Sequence, residues 1–146
     1  MRVILDTNVL VAALIAPNGP PHQLFEAFLD EQFTLVTGNM QIEEFSRVTR
    51  YPAIRNRIHP AQAGRMLNAI RSLALVIESP PIPAVSRDPH DDYLFAMAQA
   101  SDADYLVTGD KADVLTHKKH GKTRIVAARR MAGILKLRQQ NTKRSH

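Results

Sequence analysis

The stretch Val3-Ile4-Leu5-Asp6-Thr7-Asn8, near the start of the chain, decides the fold. Three apolar residues form a short continuous run, and Asp6 ends it. Such a run predicts a strand over residues 2–6 that is buried on both faces. Strands of this kind belong to parallel sheets covered by helices, so the segment favours an α/β protein.

The rest of the chain alternates between strand and helix patterns. Further strands are predicted at Phe33–Thr37, Leu75–Ile77, Ala103–Thr108 and Thr123–Val126. Helices are predicted at residues 8–15, 22–31, 39–50, 60–73, 91–100 and 127–137, with Asn39 as the cap of the third and Pro52 as the break after it. This alternation predicts an α/β fold of three layers, α/β/α, with a mainly parallel central sheet.

Length and composition describe a single domain. The chain has 146 residues, of which 45% are hydrophobic, enough for a core. We expect the domain to cover residues 1–138 and a basic, flexible tail to cover 139–146. The absence of cysteine excludes disulfides and thiolate metal sites and fits a reducing compartment. Because we find neither a signal peptide nor an apolar run of about 20 residues, we expect a cytoplasmic protein without a membrane span.

The net charge of +5 is unevenly distributed. Residues 1–113 hold all 14 acids, whereas residues 114–146 hold ten Lys and Arg and no acid. The basic third could be a solvated surface or a surface that attracts phosphate backbones. On the second interpretation the candidate contacts to a phosphate backbone are Lys118, Lys119, Arg124, Arg129 and Arg130.

Two carboxylates follow predicted strands. Asp6 ends the first strand, and Asp110 follows the fourth in Val107-Thr108-Gly109-Asp110. In parallel sheets ligands bind beyond the carboxyl ends of the strands, so both acids fall where chemistry is expected. Each of them taken alone could equally be a helix cap or a turn residue.

Helix phase selects one acid from each of two adjacent pairs. Asp91 lies three, four and seven residues before Leu94, Phe95 and Ala98 and so shares their apolar face, while Asp92 is predicted to point about 100° further round, toward solvent. Asp91 could alternatively serve as a helix cap.

The second pair lies on the helix whose apolar stripe includes Phe45 and Val48. Glu44 is predicted at the edge of that stripe and Glu43 in water, although on phase alone the two could equally be a solvated pair of acids. Asp113, three residues after Asp110, is a further candidate ligand if a helical turn begins there, or simply an acid at the N-terminus of that helix.

This set of acids is typical of a binding site for a hard cation. It includes no cysteine, and the six histidines show no spacing typical of a metal-binding pair. Oxygen ligands select Mg²⁺ or Mn²⁺ over Zn²⁺.

Four motifs, in this order along the chain, resemble the PIN-domain family. They are Leu5-Asp6-Thr7-Asn8, Glu44-Phe45-Ser46-Arg47-Val48, Asp88-Pro89-His90-Asp91-Asp92-Tyr93-Leu94 and Val107-Thr108-Gly109-Asp110. The resemblance extends from Val3 to about Leu137. The last two motifs resemble the bacterial branch of VapC-like toxin components of toxin–antitoxin pairs.

The resemblance implies a metal-dependent endoribonuclease that uses one or two cations and leaves a 5′-phosphate and a 3′-hydroxyl. The implied metal ligands are Asp6, Glu44, Asp91, Asp110 and, as a further candidate, Asp113. Asn8 and Thr108 match polar positions that support the site. The resemblance also implies RNA as substrate, an antitoxin protein as partner and a homodimer.

Two other functions remain open at this point. An aspartyl-nucleophile phosphatase or phosphotransferase also places an acid after its first strand. Enzymes of the haloacid-dehalogenase type carry a second Asp two residues later, where this chain has Asn8. The other alternative is a non-catalytic PIN-like module that binds RNA or protein, although none of the expected acids is missing.

Overall fold

The computed structural model describes residues 1–78, 89–109 and 119–135, with only the backbone described for 89–91 and 119–120. Within these residues six strands form one sheet. They are β1 (Arg2–Leu5), β2 (Thr34–Gly38), β3 (Leu75–Ile77), β4 (Tyr105–Thr108), β5 (Lys119–His120) and β6 (Thr123–Ala127).

Helices connect the strands. They are α1 (Thr7–Ile15), α2 (Pro20–Leu29), α3 (Asn39–Val48), α4 (Pro52–Arg55), α5 (Pro60–Leu73) and α6 (Pro89–Ser101), and residues 128–135 are also helical. Proline stands in the first turn of α2, α4 and α5. Its restricted φ and missing N–H suit that position, since the first N–H groups of a helix have no partner inside it.

The strand order is β3-β2-β1-β4-β6-β5, with β1 near the centre. The pairs that β1 forms with β2 and β4 are parallel, as are β2–β3 and β4–β6, while β5 pairs antiparallel with β6. The predicted α/β class with a mainly parallel sheet is therefore confirmed.

Successive residues of each strand face opposite layers, which produces two cores. Val3 and Leu5 pack on one side of β1, and Ile4 packs on the other. The first core takes in buried residues of α1, α2, α3 and α5, and the second takes in residues of α6. Helices on both faces of a parallel sheet make the three-layer arrangement that the sequence predicted.

Three local features differ from the prediction. Gly38, rather than Asn39, occupies the N-cap of α3. Pro52 begins the short helix α4 instead of only ending the helix before it, because proline is suited to a first turn. Strand β5 was not predicted, since two residues are too short to carry an alternating pattern.

None of the helices in the described ranges combines the length and the apolar character that crossing a membrane requires.

Candidate active site

The strand order changes side at β1: the strands that follow β1 first lie on one side of it, and β4 lies on the other. From β1 the chain proceeds outward through β2 and β3, and β4 then returns to the other side of β1. The carboxyl ends of β1 and β4 lie side by side, with Leu5 in register with Val107. Open α/β sheets bind ligands in the crevice at such a point.

Asp6 lies at this position and is fully buried, with 0% of its surface exposed. Its Oδ1 accepts a hydrogen bond from the backbone N–H of Asn8 at 3.3 Å, and its Oδ2 accepts one from the Thr108 hydroxyl at 3.3 Å. Asp6 is also the N-cap of α1, where the helix dipole favours a negative charge. Asp6 therefore caps α1, which is one of the roles that the sequence left open. It is also completely buried, and a capping residue does not need to be.

The next residue adds an unusual polar atom. Thr7 is 2% exposed, and within the part of the chain that the structure describes its hydroxyl has no hydrogen-bond partner. A buried hydroxyl without a partner costs free energy and points to a group that completes it. Beside a buried carboxylate, the hydration shell of a cation is such a group.

A buried glutamine that the sequence analysis did not select ties α3 to this edge. Gln41 accepts a hydrogen bond from the Thr37 hydroxyl at 2.6 Å, and its amide nitrogen donates to the carbonyl of Leu5 at 2.6 Å. The carbonyl that it binds immediately precedes Asp6. Gln41 thus holds the first turn of α3 against the ends of β1 and β2. The sequence feature that could have identified Gln41 is its position in the first turn of a helix, directly before the apolar stripe.

Tyr93 of α6 holds the same turn from the other side. The N-cap residue Gly38 supplies no side chain to α3, and the N–H groups of Gln41 and Met40 interact with the Tyr93 phenol. A methyl group on Gly38 would overlap the phenol oxygen, so glycine allows this close approach. Burial, with a smaller contribution from the charge of Glu44, raises the pKa of Tyr93, although the two N–H groups act in the opposite direction.

Glu44 lies one turn beyond Gln41 on α3. It is half-buried and close enough to Tyr93 to act on its phenol, whereas Glu43 is exposed. The helix-phase prediction for this pair is confirmed. Glu44 is held near the sheet edge yet remains open to solvent.

The corresponding prediction for Asp92 is wrong. Asp92 is 8% exposed rather than turned to solvent. Every residue from 92 to 98 is buried, so this part of α6 has no wet face, and a phase argument that assumes one fails. The backbone of Asp91 lies in the first turn of α6, and its side chain is outside the described part.

The other predicted site residues are placed as follows. Thr108 is buried against Asp6, while Asn8 is exposed and contributes its backbone N–H. Asp110, Asp113 and Lys118 lie outside the described residues, and Lys119 is described only by its backbone in β5.

The predicted arginine contacts divide between the two ends of the sheet. Arg124, Arg129 and Arg130 are all exposed. Arg124 is in register with Tyr105, three residues before Thr108, so it lies about 10 Å back from the carboxyl edge. Arg129 and Arg130 follow the carboxyl end of β6 and are therefore nearer the site.

A divalent cation fits the chemistry of this edge. Its donors are carboxylate and hydroxyl oxygens, and Thr7 provides a buried hydroxyl in need of a partner. Among the side chains that the structure describes, no three His, Cys, Asp or Glu residues converge as metal ligands. A complete set of protein ligands would therefore include at least one side chain outside the described part.

The family model described as the PIN domain matches residues 2–112, about three quarters of the chain. The protein belongs to the PIN domain family, whose members are generally nucleases. An uncharacterized protein of Methanocaldococcus jannaschii, MJ1680, is 28% identical over 123 residues, which cover 84% of this chain and 78% of that protein.

Three solved structures share the fold. PAE2754 from Pyrobaculum aerophilum has a TM-score of 0.63 at 20% identity, covering 94% of this chain and 90% of its own. The PIN domain of human SMG5 has a TM-score of 0.53 at 12% identity, covering 91% and 98%. VapBC2 from Rickettsia felis, bound to a DNA fragment from its promoter, has a TM-score of 0.55 at 16% identity, covering 87% and 98%.

Replacing Gln41 with leucine tests how far the site depends on the buried amide. Gln41→Leu leaves the Thr37 hydroxyl and the Leu5 carbonyl without their partner, and each such loss costs about 1–3 kcal/mol. We expect a lower midpoint in urea unfolding. Gln99→Leu, at an exposed position of α6, is the matched control and should shift stability by about 0.5 kcal/mol or less. Equal stability of the two variants would contradict the proposed role of the network.

Removing the Tyr93 hydroxyl should change the response to alkaline pH. Because the folded-state pKa lies above the ordinary value of 10.0, the unfolded chain loses this proton first. The stabilisation is fully present below pH 10 and declines as pH rises through the folded-state pKa. Tyr93→Phe should therefore lose less stability than the wild type between about pH 8 and pH 11. Tyr51→Phe, at an exposed tyrosine, should follow the wild-type curve; a Tyr93→Phe curve parallel to wild type would count against this account.

Proposed function

We propose that this protein is a metal-dependent endoribonuclease in which Asp6, Glu44, Asp91 and Asp110 hold one or two Mg²⁺ or Mn²⁺ ions, with Asp113 as a further ligand. The observation that carries the proposal is the fully buried Asp6 carboxylate at the crevice between β1 and β4. A buried carboxylate usually forms an ion pair or binds a metal, since burial alone destabilises its charged form. Membership of a family that generally consists of nucleases supports the same conclusion.

In the proposed reaction, Asp6 and Glu44 have different roles toward the bound cation. When bound, a divalent cation supplies an activated water and stabilises charge on the scissile phosphate. Asp6 is a rigid ligand because both its oxygens accept hydrogen bonds. Glu44 is half-exposed, which suits a ligand that solvent and substrate can reach. Such pre-positioning lowers the reorganisation that the reaction requires.

RNA contacts from the basic third would position the backbone without reading sequence. Arg129 and Arg130 are exposed and follow the carboxyl end of β6, which supports them as contacts near the site. Lys118, Lys119 and Arg124 complete the set we propose.

We infer that the protein acts as the toxin component of a toxin–antitoxin pair. The fold similarity to VapBC2 and the VapC-like motifs support this role. Its partner would then be a small antitoxin protein, its active form a homodimer and its place the cytoplasm. Co-expression of the native operon followed by purification tests the partner directly, because an antitoxin should copurify and block cleavage.

Substituting the acids of β1 and α3 should abolish metal-dependent cleavage. Asp6→Asn and Glu44→Gln keep the side-chain shape and remove a ligand charge, so we expect loss of nearly all RNA cleavage with Mn²⁺ and weaker Mn²⁺ binding by calorimetry. Glu43→Gln, one residue away and exposed, is the matched control and should retain activity. Cleavage that survives both EDTA and Asp6→Asn would falsify the metal mechanism. Hydrolysis of a small phosphate monoester without RNA cleavage would instead indicate the phosphatase chemistry.

The acids of α6 are tested as a pair. We propose Asp91 as the ligand, so Asp91→Asn should lose Mn²⁺ affinity and activity while the metal-free protein unfolds at an unchanged or higher temperature, since repulsion between carboxylates falls. Asp92 is buried, so Asp92→Asn should lower the melting temperature of the metal-free protein while Mn²⁺ affinity is retained. Loss of Mn²⁺ affinity in Asp92→Asn alone would transfer the ligand role to Asp92.

A further inference from the structure

A second cationic surface lies outside the basic C-terminal third, on the segment that follows Glu44. Between Glu44 and Glu78 the chain has no acid but six arginines. Folded domains ordinarily intersperse charges of both signs on their surfaces. The first lysine of the chain is Lys111, so every cation in this segment is an arginine apart from any protonated His59. Arginine is the residue whose planar group matches a phosphate with paired hydrogen bonds.

Four of these arginines are concentrated in residues 47–57, a stretch of consecutive turns. Backbone hydrogen bonds from Tyr51 to Val48, from Arg55 to Tyr51 and from Arg57 to Ile54 hold the turns together. Ile54 is half-buried against the first core, which anchors the segment to the domain. Its arginines all remain exposed. They are Arg47, Arg50, Arg55 and Arg57.

Within the described ranges, no acidic side chain pairs with these arginines. None of the four forms an ion pair with another residue in the described ranges, and the side-chain hydrogen bond found among them joins Arg50 to the hydroxyl of Ser46. Glu43, four residues before Arg47 on α3, is near enough in sequence for an ion pair but does not form one. The cationic groups are therefore available to an outside anion.

Tyr51 stands in the middle of the arginines. All eight Phe and Tyr residues of the chain are within the described ranges, and Tyr51 is the one with an exposed side chain, at 47%. An exposed aromatic ring among cations is what proteins use to stack an unpaired base while neighbouring arginines hold the phosphates. An acidic protein would use the charge but has no need of the ring.

We propose that residues 47–57 form a binding surface for single-stranded RNA, in which Tyr51 stacks on a base and the four arginines contact the flanking phosphates. Arg47 lies about 4.5 Å beyond Glu44 along the axis of α3. Arg50 follows two residues after the helix ends at Val48. The surface therefore begins about one helical turn beyond Glu44, so it holds the strand next to the site rather than at the reacting bond. This inference rests on the proposed function for its substrate class, and it adds a surface that the basic C-terminal third does not include.

The test measures binding in EDTA, so that its result does not depend on cleavage. The probe is a short fluorescent oligouridine, titrated at several salt concentrations. In Arg50→Gln/Arg55→Gln the salt slope should fall by about 1.4, since each phosphate contact to a single strand contributes about 0.7. Arg65→Gln/Arg71→Gln removes the same charge from two exposed arginines of α5 and should leave the slope nearly unchanged.

Tyr51→Ala separates stacking from charge. It should weaken oligouridine binding about tenfold, as expected for one lost stacked base, with the salt slope unchanged, and Tyr51→Phe should restore the affinity. Equal losses in the two arginine pairs, or wild-type binding by Tyr51→Ala, would overturn the proposal.

The same variants titrated with polyglutamate identify the other class of partner. If Arg50→Gln/Arg55→Gln loses polyglutamate binding but keeps oligouridine binding, the surface recognises an acidic protein and the RNA proposal is wrong. A wild type that binds oligouridine through this surface but cleaves no RNA with Mg²⁺ or Mn²⁺ would refute the proposed function and leave the binding surface intact.

Discussion

The carboxylate of Asp6 is removed from water at the end of the central strand, and the neighbouring elements are arranged to make that burial tolerable. An ionised carboxylate without compensating contacts costs several kcal/mol. Here the start of α1 supplies a backbone N–H and β4 supplies the Thr108 hydroxyl. The register between β1 and β4 is consequently important for the site as well as the core. A slip by one residue would replace Thr108 by Val107 or Gly109 beside the carboxylate and remove the hydrogen bond from the Thr108 hydroxyl.

The position of α3 follows from the same edge of the sheet. Gln41 reaches the carbonyl that precedes Asp6, and the Tyr93 phenol meets the N–H groups of the same helical turn. The helix is held between β1 and α6, two elements far apart in the chain. Glu44 lies one turn further along the same helix, so these buried contacts also fix the position of Glu44. A site whose ligands are positioned by buried neutral groups needs little reorganisation when a cation or a substrate arrives.

The distribution of charge suits a protein that binds a polyanion. Acids at the sheet edge repel phosphates until a cation offsets them, so attraction has to come from elsewhere on the surface. The exposed cations form two groups: one follows the carboxyl end of β6 and the other begins in the carboxyl-terminal half of α3. The second group lies within the part of the chain that has an excess of acid, where counting charges over long stretches conceals it. Local runs without an acid are more informative than the balance of a whole segment, because electrostatic attraction in salt acts over about 10 Å.

The amino-acid sequence by itself determined the positions of five of the six strands, the α/β class and the difference between Glu43 and Glu44. Those features depend on short apolar runs and on the period of a helix with one wet face, which are local properties. Only the tertiary structure decided that Asp92 is buried, because α6 is enclosed around residues 92–98 and phase has no meaning on a helix without a wet face. It also decided the roles of Gln41, Tyr93 and Gly38. The hydrogen bond from Gln41 to Leu5 joins positions 36 residues apart, and the close approach of Tyr93 to Gly38 crosses from one helical layer to the edge of the sheet. Contacts of that kind arise from packing whole elements together, and no local pattern carries them.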